Sequence, residues 1–282
     1  MKFVTWALVA ALGVAGAGLA ATAIAQSSGP TGATPEEVIK AGRSRLGAGY
    51  LKPANWPDSL ALLPKPPAEG SRALKRDQRL QTRALAQHGK PRWDIATSDA
   101  DLFSPKASGA MSCAAKFEVS PTATPAIDKI LRGTMAEFGG STAKAKNHYK
   151  RPRPFMVNNQ PLCTPDWEKI LRNDGSYPSG HAAIGYGWGM IMAEIVPARR
   201  AQFLKRGKAF AESRRYCNVH WQSDVEAGIA VAKVVMGKLR ADPKFQADLA
   251  AAKAEAKAAT KQASNCAAEK RALATRLLKD RL

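Results

Sequence analysis

The chain has 282 residues, and its 43 Lys and Arg against 23 Asp and Glu give a formal net charge of +20 at pH 7. This length allows one large domain or two small ones, and one domain is favoured because no internal repeat or central linker divides the sequence. The basic residues are spread along the chain without an aromatic-interleaved patch, which argues against a nucleic-acid partner.

The N-terminal segment predicts export. After Lys2, residues 3–25 are uncharged and rich in Ala, Gly, Val and Leu, and they end in Ala23-Ile24-Ala25. A basic start, an apolar stretch and an Ala-x-Ala end are typical of a signal peptide, so residues 1–25 are predicted to be removed on the way to the periplasm. Because the apolar run is long enough to cross a bilayer, a retained anchor stays the alternative.

The remainder is predicted to form one domain with a flexible start and a helical end. Residues 26–49 form a flexible lead-in, since their first part is rich in Gly, Pro and Ser. Residues 50–245 form the domain, and residues 246–282 form an Ala- and Lys-rich helical tail. No second uncharged stretch is long enough to span a bilayer, so we expect no stable membrane insertion after cleavage.

Helical periodicity is easy to find along this domain, whereas strand alternation is not. Start signals and apolar spacings of three and four predict four helices. They begin at Thr124-Pro125, Thr164-Pro165, Pro197 and near Val225, and the first is expected to stop at Gly139-Gly140. The sequence therefore predicts an all-α, single-domain helical bundle.

The four cysteines are far apart and lack the paired spacing of a metal site. Export makes disulfides the favoured interpretation, with free thiols as the alternative. Three pairings are possible, and we favour Cys113 with Cys163 and Cys217 with Cys266. Carboxylates and histidines show no metal-ligand spacing either, so neither a metal nor another cofactor is predicted.

Three short clusters of charged and imidazole side chains lie between residues 146 and 224. They are Lys146 with Arg153-Pro154; Pro178-Ser179-Gly180-His181; and Ser213-Arg214 with His220 and Asp224. Three cations can hold a tetrahedral oxyanion, while one imidazole attacks phosphorus and the other protonates the departing oxygen. The clusters together indicate phosphoryl transfer.

Local geometry supports this interpretation. Ser179 follows a turn and precedes an apolar run, so it is expected to cap a helix, with its hydroxyl and the amides of Gly180 and His181 near an anion. His220 and Asp224 are four residues apart and would share a helix face. The carboxylate could then accept from one ring nitrogen and leave the other free to attack.

The internal spacings resemble the signature of the type 2 phosphatidic-acid-phosphatase and haloperoxidase superfamily: Lys-x6-Arg-Pro, Pro-Ser-Gly-His and Ser-Arg-x5-His-x3-Asp. Flanking residues such as Gly49-Tyr50-Leu51 and Asp174-Gly175-Ser176-Tyr177 are similar to those of bacterial class A non-specific acid phosphatases. The resemblance runs from about Tyr50 to about Phe245. It implies an all-α fold of the superfamily's kind and a covalent phosphohistidine intermediate.

Carried onto this chain, the resemblance implies a role for each motif residue. His220 is the nucleophile, Asp224 its partner, and His181 the general acid and later base. The phosphate-binding residues are Lys146, Arg153, Ser179, Gly180 and Arg214. Lys150 and Arg151 lie between two of these, but the pattern does not require them, and a surface position is favoured for both.

The predicted function is that of a periplasmic, metal-independent acid phosphatase of broad specificity. Its partners would be small phosphate esters, drawn in by the basic surface, with phosphate or vanadate as inhibitors. A vanadium-dependent haloperoxidase is one alternative, because vanadate mimics the phosphoryl transition state. A specialised lipid, diphosphate or phytate phosphatase is another. The sequence leaves a homo-oligomer open.

Overall fold

The computed structural model describes residues 49–275, together with Glu37 and Lys40. The predicted signal peptide, nearly all of the lead-in and the last residues of the tail lie outside the described residues. Within residues 49–275 the chain forms no strand, apart from one isolated bridge between Phe117 and Gln262. The predicted all-α fold is therefore confirmed.

The helices are labelled in chain order. They are α1 Ser59–Leu62, α2 Arg72–Leu85, α3 Pro91–Ser98, α4 Ser112–Ala115, α5 Pro125–Gly133, α6 Met135–Gly140, α7 Ala143–Tyr149, α8 Pro154–Asn158, α9 Glu168–Arg172, α10 Gly180–Ile195, α11 Arg200–Tyr216, α12 Gln222–Arg240, α13 Pro243–Ala258 and α14 Cys266–Leu273. Short 3-10 turns occur at Pro53–Asn55, Ala107–Met111, Pro165–Trp167 and Pro197–Arg199. None of the helices in this described range is both long and apolar enough to cross a membrane.

Helix α10 lies at the centre of the bundle, and α6, α11, α12 and α13 pack around it. Its Trp188, Ile191 and Met192 side chains are fully buried. Glycines allow α11 to approach unusually closely, since a Cβ at Gly185 would lie 2.0 Å from the Phe210 ring. A helix so enclosed is apolar on nearly all sides. Its packing also fixes the position of its N-terminus, which follows Ser179.

The four predicted helices appear, but those at Pro165 and Pro197 open with a short 3-10 turn, and the first is divided in two. The segment that begins at Pro125 breaks at Thr134, whose hydroxyl donates to the carbonyls of Ile130 and Leu131 at 3.1 and 2.9 Å. A hydroxyl that bonds back to the preceding turn competes with the helical hydrogen bonds and favours such a break. The segment then resumes as α6 and ends at Gly140, as predicted.

The tail begins as a well-packed helix. Phe245, Leu249 and Ala252 of α13 are buried against the bundle. The carboxylate of Glu255 accepts from the amides of Ala126 and Ile127 at 3.0 and 2.8 Å. These are free amides in the first turn of α5, so the tail supplies the cap that Thr124 does not.

The favoured disulfide pairing was wrong. Cys113 pairs with Cys266 and Cys163 with Cys217, with Cα atoms 5.3 and 4.7 Å apart. The chain beyond α13 returns to residues 112–118, where Glu118 N donates to Lys261 O at 2.8 Å and brings Cys266 beside Cys113. Sequence separation alone could not reveal this return.

Candidate active site

Three stretches that are distant from one another in sequence supply the site: residues 146–153, 173–181 and 214–224. Lys146 lies on α7, and Arg153 is the residue before α8. The loop 173–179 leads into α10, and Arg214 lies in the last turn of α11. His220 precedes α12, and Asp224 belongs to its first turn. A Cβ at Gly228 would lie 2.3 Å from the Ser179 carbonyl oxygen, so only glycine allows α12 to lie this close to the loop.

The imidazole of His220 is held in one tautomer. Its Nδ1 lies 2.8 Å from the backbone carbonyl oxygen of Ser176. A carbonyl can only accept, so Nδ1 carries the proton and Nε2 keeps a lone pair. His220 is 2% exposed. Burial first, and then the nearby cations Arg153 and Lys146, hold its pKa well below 6.5, so the ring is neutral near pH 7.

The predicted pairing of His220 with Asp224 takes a different form. Asp224 Oδ2 lies 3.6 Å from Nδ1, too far for a direct hydrogen bond. It accepts instead from the Ser176 hydroxyl at 2.5 Å and from the Trp221 amide at 2.8 Å. Because α12 begins at Gln222, His220 lies outside the helix, and the two side chains are not aligned as an i, i+4 helical pair.

Ser179 and His181 flank the start of α10. Ser179 is its N-cap, as predicted, and its hydroxyl accepts from the Ala182 amide at 3.2 Å. His181 Nε2 lies 3.1 Å from the carbonyl oxygen of Ala100, so Nε2 is the donor and Nδ1 is left for proton transfer. Burial and then Arg214 hold the pKa of His181 well below 6.5.

Two of the cations share one carboxylate. Asp174 Oδ2 accepts from Lys146 Nζ and from Arg153 Nη2, both at 2.8 Å. Arg153 Nη1 lies 3.0 Å from His220 Nε2 and donates to its lone pair. The guanidinium of Arg153 therefore connects the imidazole nitrogen to the Asp174 carboxylate.

Arg214, the third cation, forms no ion pair with a carboxylate among the described residues. It is 2% exposed, and its Nε has no hydrogen-bond partner among the described residues. Its contact to the Cys217 sulfur, at 3.7 Å, is weak. Burial and then repulsion from Arg153 lower its pKa to about 9, and the same two causes lower that of Lys146 to about 8. Buried cations that repel each other stabilise a bound anion.

Arg151 was expected at the surface, and that prediction was wrong. It is 9% exposed and donates to Asp224 Oδ1 at 2.6 Å and to Asp77 Oδ2 at 2.9 Å. Asp77 lies on α2 and also accepts from the Ser223 amide at 2.9 Å. No local pattern marks this pair, since Asp77 and Arg151 are 74 residues apart.

Comparison with known proteins identifies the family of the chain. Residues 130–240, which contain all the predicted site residues, match the PAP2 superfamily. A "Non-specific acid phosphatase" of Providencia stuartii is 38% identical over 73% of this chain and 84% of its own length. One from Salmonella typhimurium is 36% identical over 73% and 83%. An "Acid phosphatase" of Zymomonas mobilis is 34% identical over 70% and 75%.

The chain therefore belongs to the PAP2 superfamily, and the resemblance drawn from its motifs is confirmed. Its relatives at this level of identity are acid phosphatases.

Proposed function

We propose that this acid phosphatase hydrolyses phosphate monoesters through a phosphohistidine on His220, without a metal ion. The observation that carries the proposal is a neutral imidazole, fixed by the Ser176 carbonyl with its Nε2 lone pair directed at a buried group of cations. Nucleophilic catalysis by histidine needs that tautomer, and a developing negative charge needs those cations.

In the first step, Nε2 of His220 attacks phosphorus, a P–N bond forms, and the bond from phosphorus to the ester oxygen breaks. The departing alkoxide takes a proton from Nδ1 of His181. Lys146, Arg153 and Arg214 bind the non-bridging oxygens, assisted by Ser179 and by the amide of Gly180 at the start of α10. Arg153 must first give up its contact with Nε2.

In the second step, water attacks the phosphohistidine. His181, now neutral, takes the proton of that water through Nδ1, the P–N bond breaks, and Nε2 recovers its lone pair. Asp224 positions His220 through the Ser176 hydroxyl, which donates to Asp224 Oδ2 and lies 3.3 Å from His220 Nδ1. An alcohol in place of water would give phosphotransfer by the same route.

The two histidines must differ in charge when the ester is bound. Both have a lowered pKa, because burial and neighbouring cations oppose protonation. A phosphate dianion bound among these cations offsets their positive charge. Protonation of His181 then becomes easier, and its pKa rises. Protonated His181 beside neutral His220 requires an acidic to near-neutral optimum.

Metal independence and location complete the proposal. The protein's own cations supply the positive charge that a metal would otherwise bring, and no three carboxylate, imidazole or thiol groups converge within residues 49–275. The Ala-x-Ala segment supports release into the periplasm after Ala25. The substrates are small phosphate esters of broad range, and phosphate and vanadate are inhibitors.

The test is hydrolysis of 4-nitrophenyl phosphate from pH 4 to pH 8 with a chelator present, for wild type and His220→Ala. We expect chelator-resistant activity in the wild type and its loss in the variant. His148→Ala is the matched control, because His148 is the exposed histidine on α7 and should keep full activity. A covalent 32P label on wild type, acid-labile and absent from His220→Ala, would identify the intermediate.

Two outcomes contradict the proposal. Wild-type activity that needs added metal would exclude the metal-free mechanism, and equal activity of His220→Ala would exclude the phosphohistidine. If the wild type were inactive on every phosphate ester, halide oxidation with vanadate would be tested next, as the haloperoxidase alternative requires.

A further inference from the structure

Asp174 lies where a phosphate oxygen is needed. Its Oδ2 bridges Lys146 and Arg153 at 2.8 Å to each, which is the arrangement these two cations would offer to one oxygen of a phosphate. Arg153 also contacts His220 Nε2 through the neighbouring nitrogen of the same guanidinium. The guanidinium of Arg153 therefore bridges the Asp174 carboxylate and the nitrogen that attacks phosphorus in the proposed mechanism.

Most of the hydrogen bonds of Arg153 are made to backbone. Its Nε donates to the carbonyl oxygens of Leu171 and Asp174, and its Nη1 donates to that of Val219, each at 2.9 Å. These bonds hold the guanidinium in place at 1% exposure. Arg153 can therefore lose only its hydrogen bonds to the His220 nitrogen and to the Asp174 carboxylate without a movement of the backbone.

The Asp174 carboxylate and the two cations differ in their exposure to solvent. The Asp174 side chain is 44% exposed, whereas those of Arg153 and Lys146 are 1% and 11% exposed. A carboxylate at the edge of the site can turn into water, where its charge is well solvated. The buried cations cannot do so, and without a counterion they would lose the partner that offsets their mutual repulsion.

We propose that Asp174 is a resident counterion, which stands in for the phosphate between Lys146 and Arg153 and is displaced by it. The inference rests on the proposed function, in which these two cations bind the ester. The competition has two consequences. The carboxylate offsets the charge of the two cations before phosphate binds. It also weakens the binding of substrate and product phosphate, so that product release is faster.

Asp174→Asn removes the competing charge and keeps the size of the side chain. We expect the Kd for inorganic phosphate, measured by calorimetry, to fall by about tenfold, the factor that 1.4 kcal/mol represents. KM for 4-nitrophenyl phosphate should fall with it, and kcat should not rise, because phosphate leaves more slowly. Asp166→Asn is the matched control, since Asp166 is exposed and its loss changes the net charge equally.

A purely structural role predicts the opposite sign. If Asp174 only positions Lys146 and Arg153, its loss weakens phosphate binding and raises KM, and that result would overturn the proposal. An unchanged Kd, or a fall equal to that of Asp166→Asn, would overturn it too. Should Asp174→Asn fold poorly, Asp174→Ser serves in its place.

Thermal unfolding gives an independent measurement. Without phosphate, Asp174→Asn should unfold at a lower temperature than wild type, because the cations lose their counterion. With saturating phosphate the rise in Tm should be larger in the variant than in wild type. Calorimetry and unfolding need no turnover, so they test the counterion even if the proposed phosphohistidine chemistry fails, while the His220→Ala assay tests that chemistry alone.

Discussion

A buried arginine, Arg151, links Asp224 near His220 to Asp77 in the N-terminal part of the bundle. Arg151 lies between the carboxylates of Asp224 and Asp77, and all three side chains are nearly or fully buried. One cation between two anions leaves a net negative charge, which the cations around His220 offset. Removing the cation would leave two buried carboxylates without their charged partner.

We expect Arg151→Ala to lower the free energy of unfolding by about 3–5 kcal/mol, as for other broken buried ion pairs. Arg151→Lys should recover part of the stability but not the two-oxygen geometry, because the ammonium lacks the planar fork. Urea unfolding measures the loss. Lys150→Ala, one residue away and exposed, is the control, and an equal loss in both variants would contradict the assignment.

The contrast between Arg151 and its neighbours shows which site residues could be predicted from the sequence. Lys146 and Arg153 could be selected because a family motif marks their positions. Arg151 and Asp174 could not be assigned, since their roles depend on partners brought together only by the fold: Asp77 for the first, and two cations for the second. The hydrogen bond from His220 to the Ser176 carbonyl was missed for the same reason.

Among the helices, those with a proline start signal or a sustained apolar spacing were predictable. Gln222–Arg240 contains the whole predicted face from Val225 to Leu239, and Arg200–Tyr216 follows the turn that opens at Pro197. Short helices such as α7 and α8 were not predicted, because a few residues carry too little periodicity. The disulfide pairing depended on the path of the tail, which no local signal encodes.

The approach of α12 to the loop 173–179 gives a prediction with a control in the same helix. Gly228→Ala would place a Cβ 2.3 Å from the Ser179 carbonyl oxygen, whereas a Cβ at Gly237 meets nothing within 4 Å. We expect Gly228→Ala to cost about 1–3 kcal/mol of stability through overpacking. By moving Ser179 relative to His220, it should also reduce kcat/KM on the order of 100-fold.

Gly237→Ala should instead stabilise the protein by about 0.5–1 kcal/mol, as expected for replacing glycine within a helix. Its activity should equal that of wild type. Urea unfolding and hydrolysis of 4-nitrophenyl phosphate compare the two variants directly. Equal behaviour of both would show that the contact between α12 and the loop does not position the site.

At the scale of the whole protein, the two buried histidines of the site lower the free energy of unfolding in acid. His181 and His220 both have a folded-state pKa well below 6.5, the value of an unfolded histidine. Below about pH 6.5 the unfolded chain therefore binds more protons than the folded one, and the free energy of unfolding falls as the pH falls. The loss is up to about 1.4 kcal/mol per histidine for each pH unit until the folded pKa is reached.

This acid sensitivity should depend on whether the anion site is filled. Without ligand, Tm should fall steadily from pH 7.5 to pH 5.5, and His181→Gln and His220→Gln should each reduce the slope. Saturating phosphate should also flatten it, because the bound anion raises the pKa of both histidines toward 6.5. The salt-bridged carboxylates Asp58, Glu118 and Asp248, whose pKa values are lowered, add their losses only at lower pH. If neither the substitutions nor phosphate changed the slope, the acid sensitivity would come from groups outside the site. If phosphate removed the slope, an anion bound in the site would protect this acid phosphatase against unfolding at acidic pH.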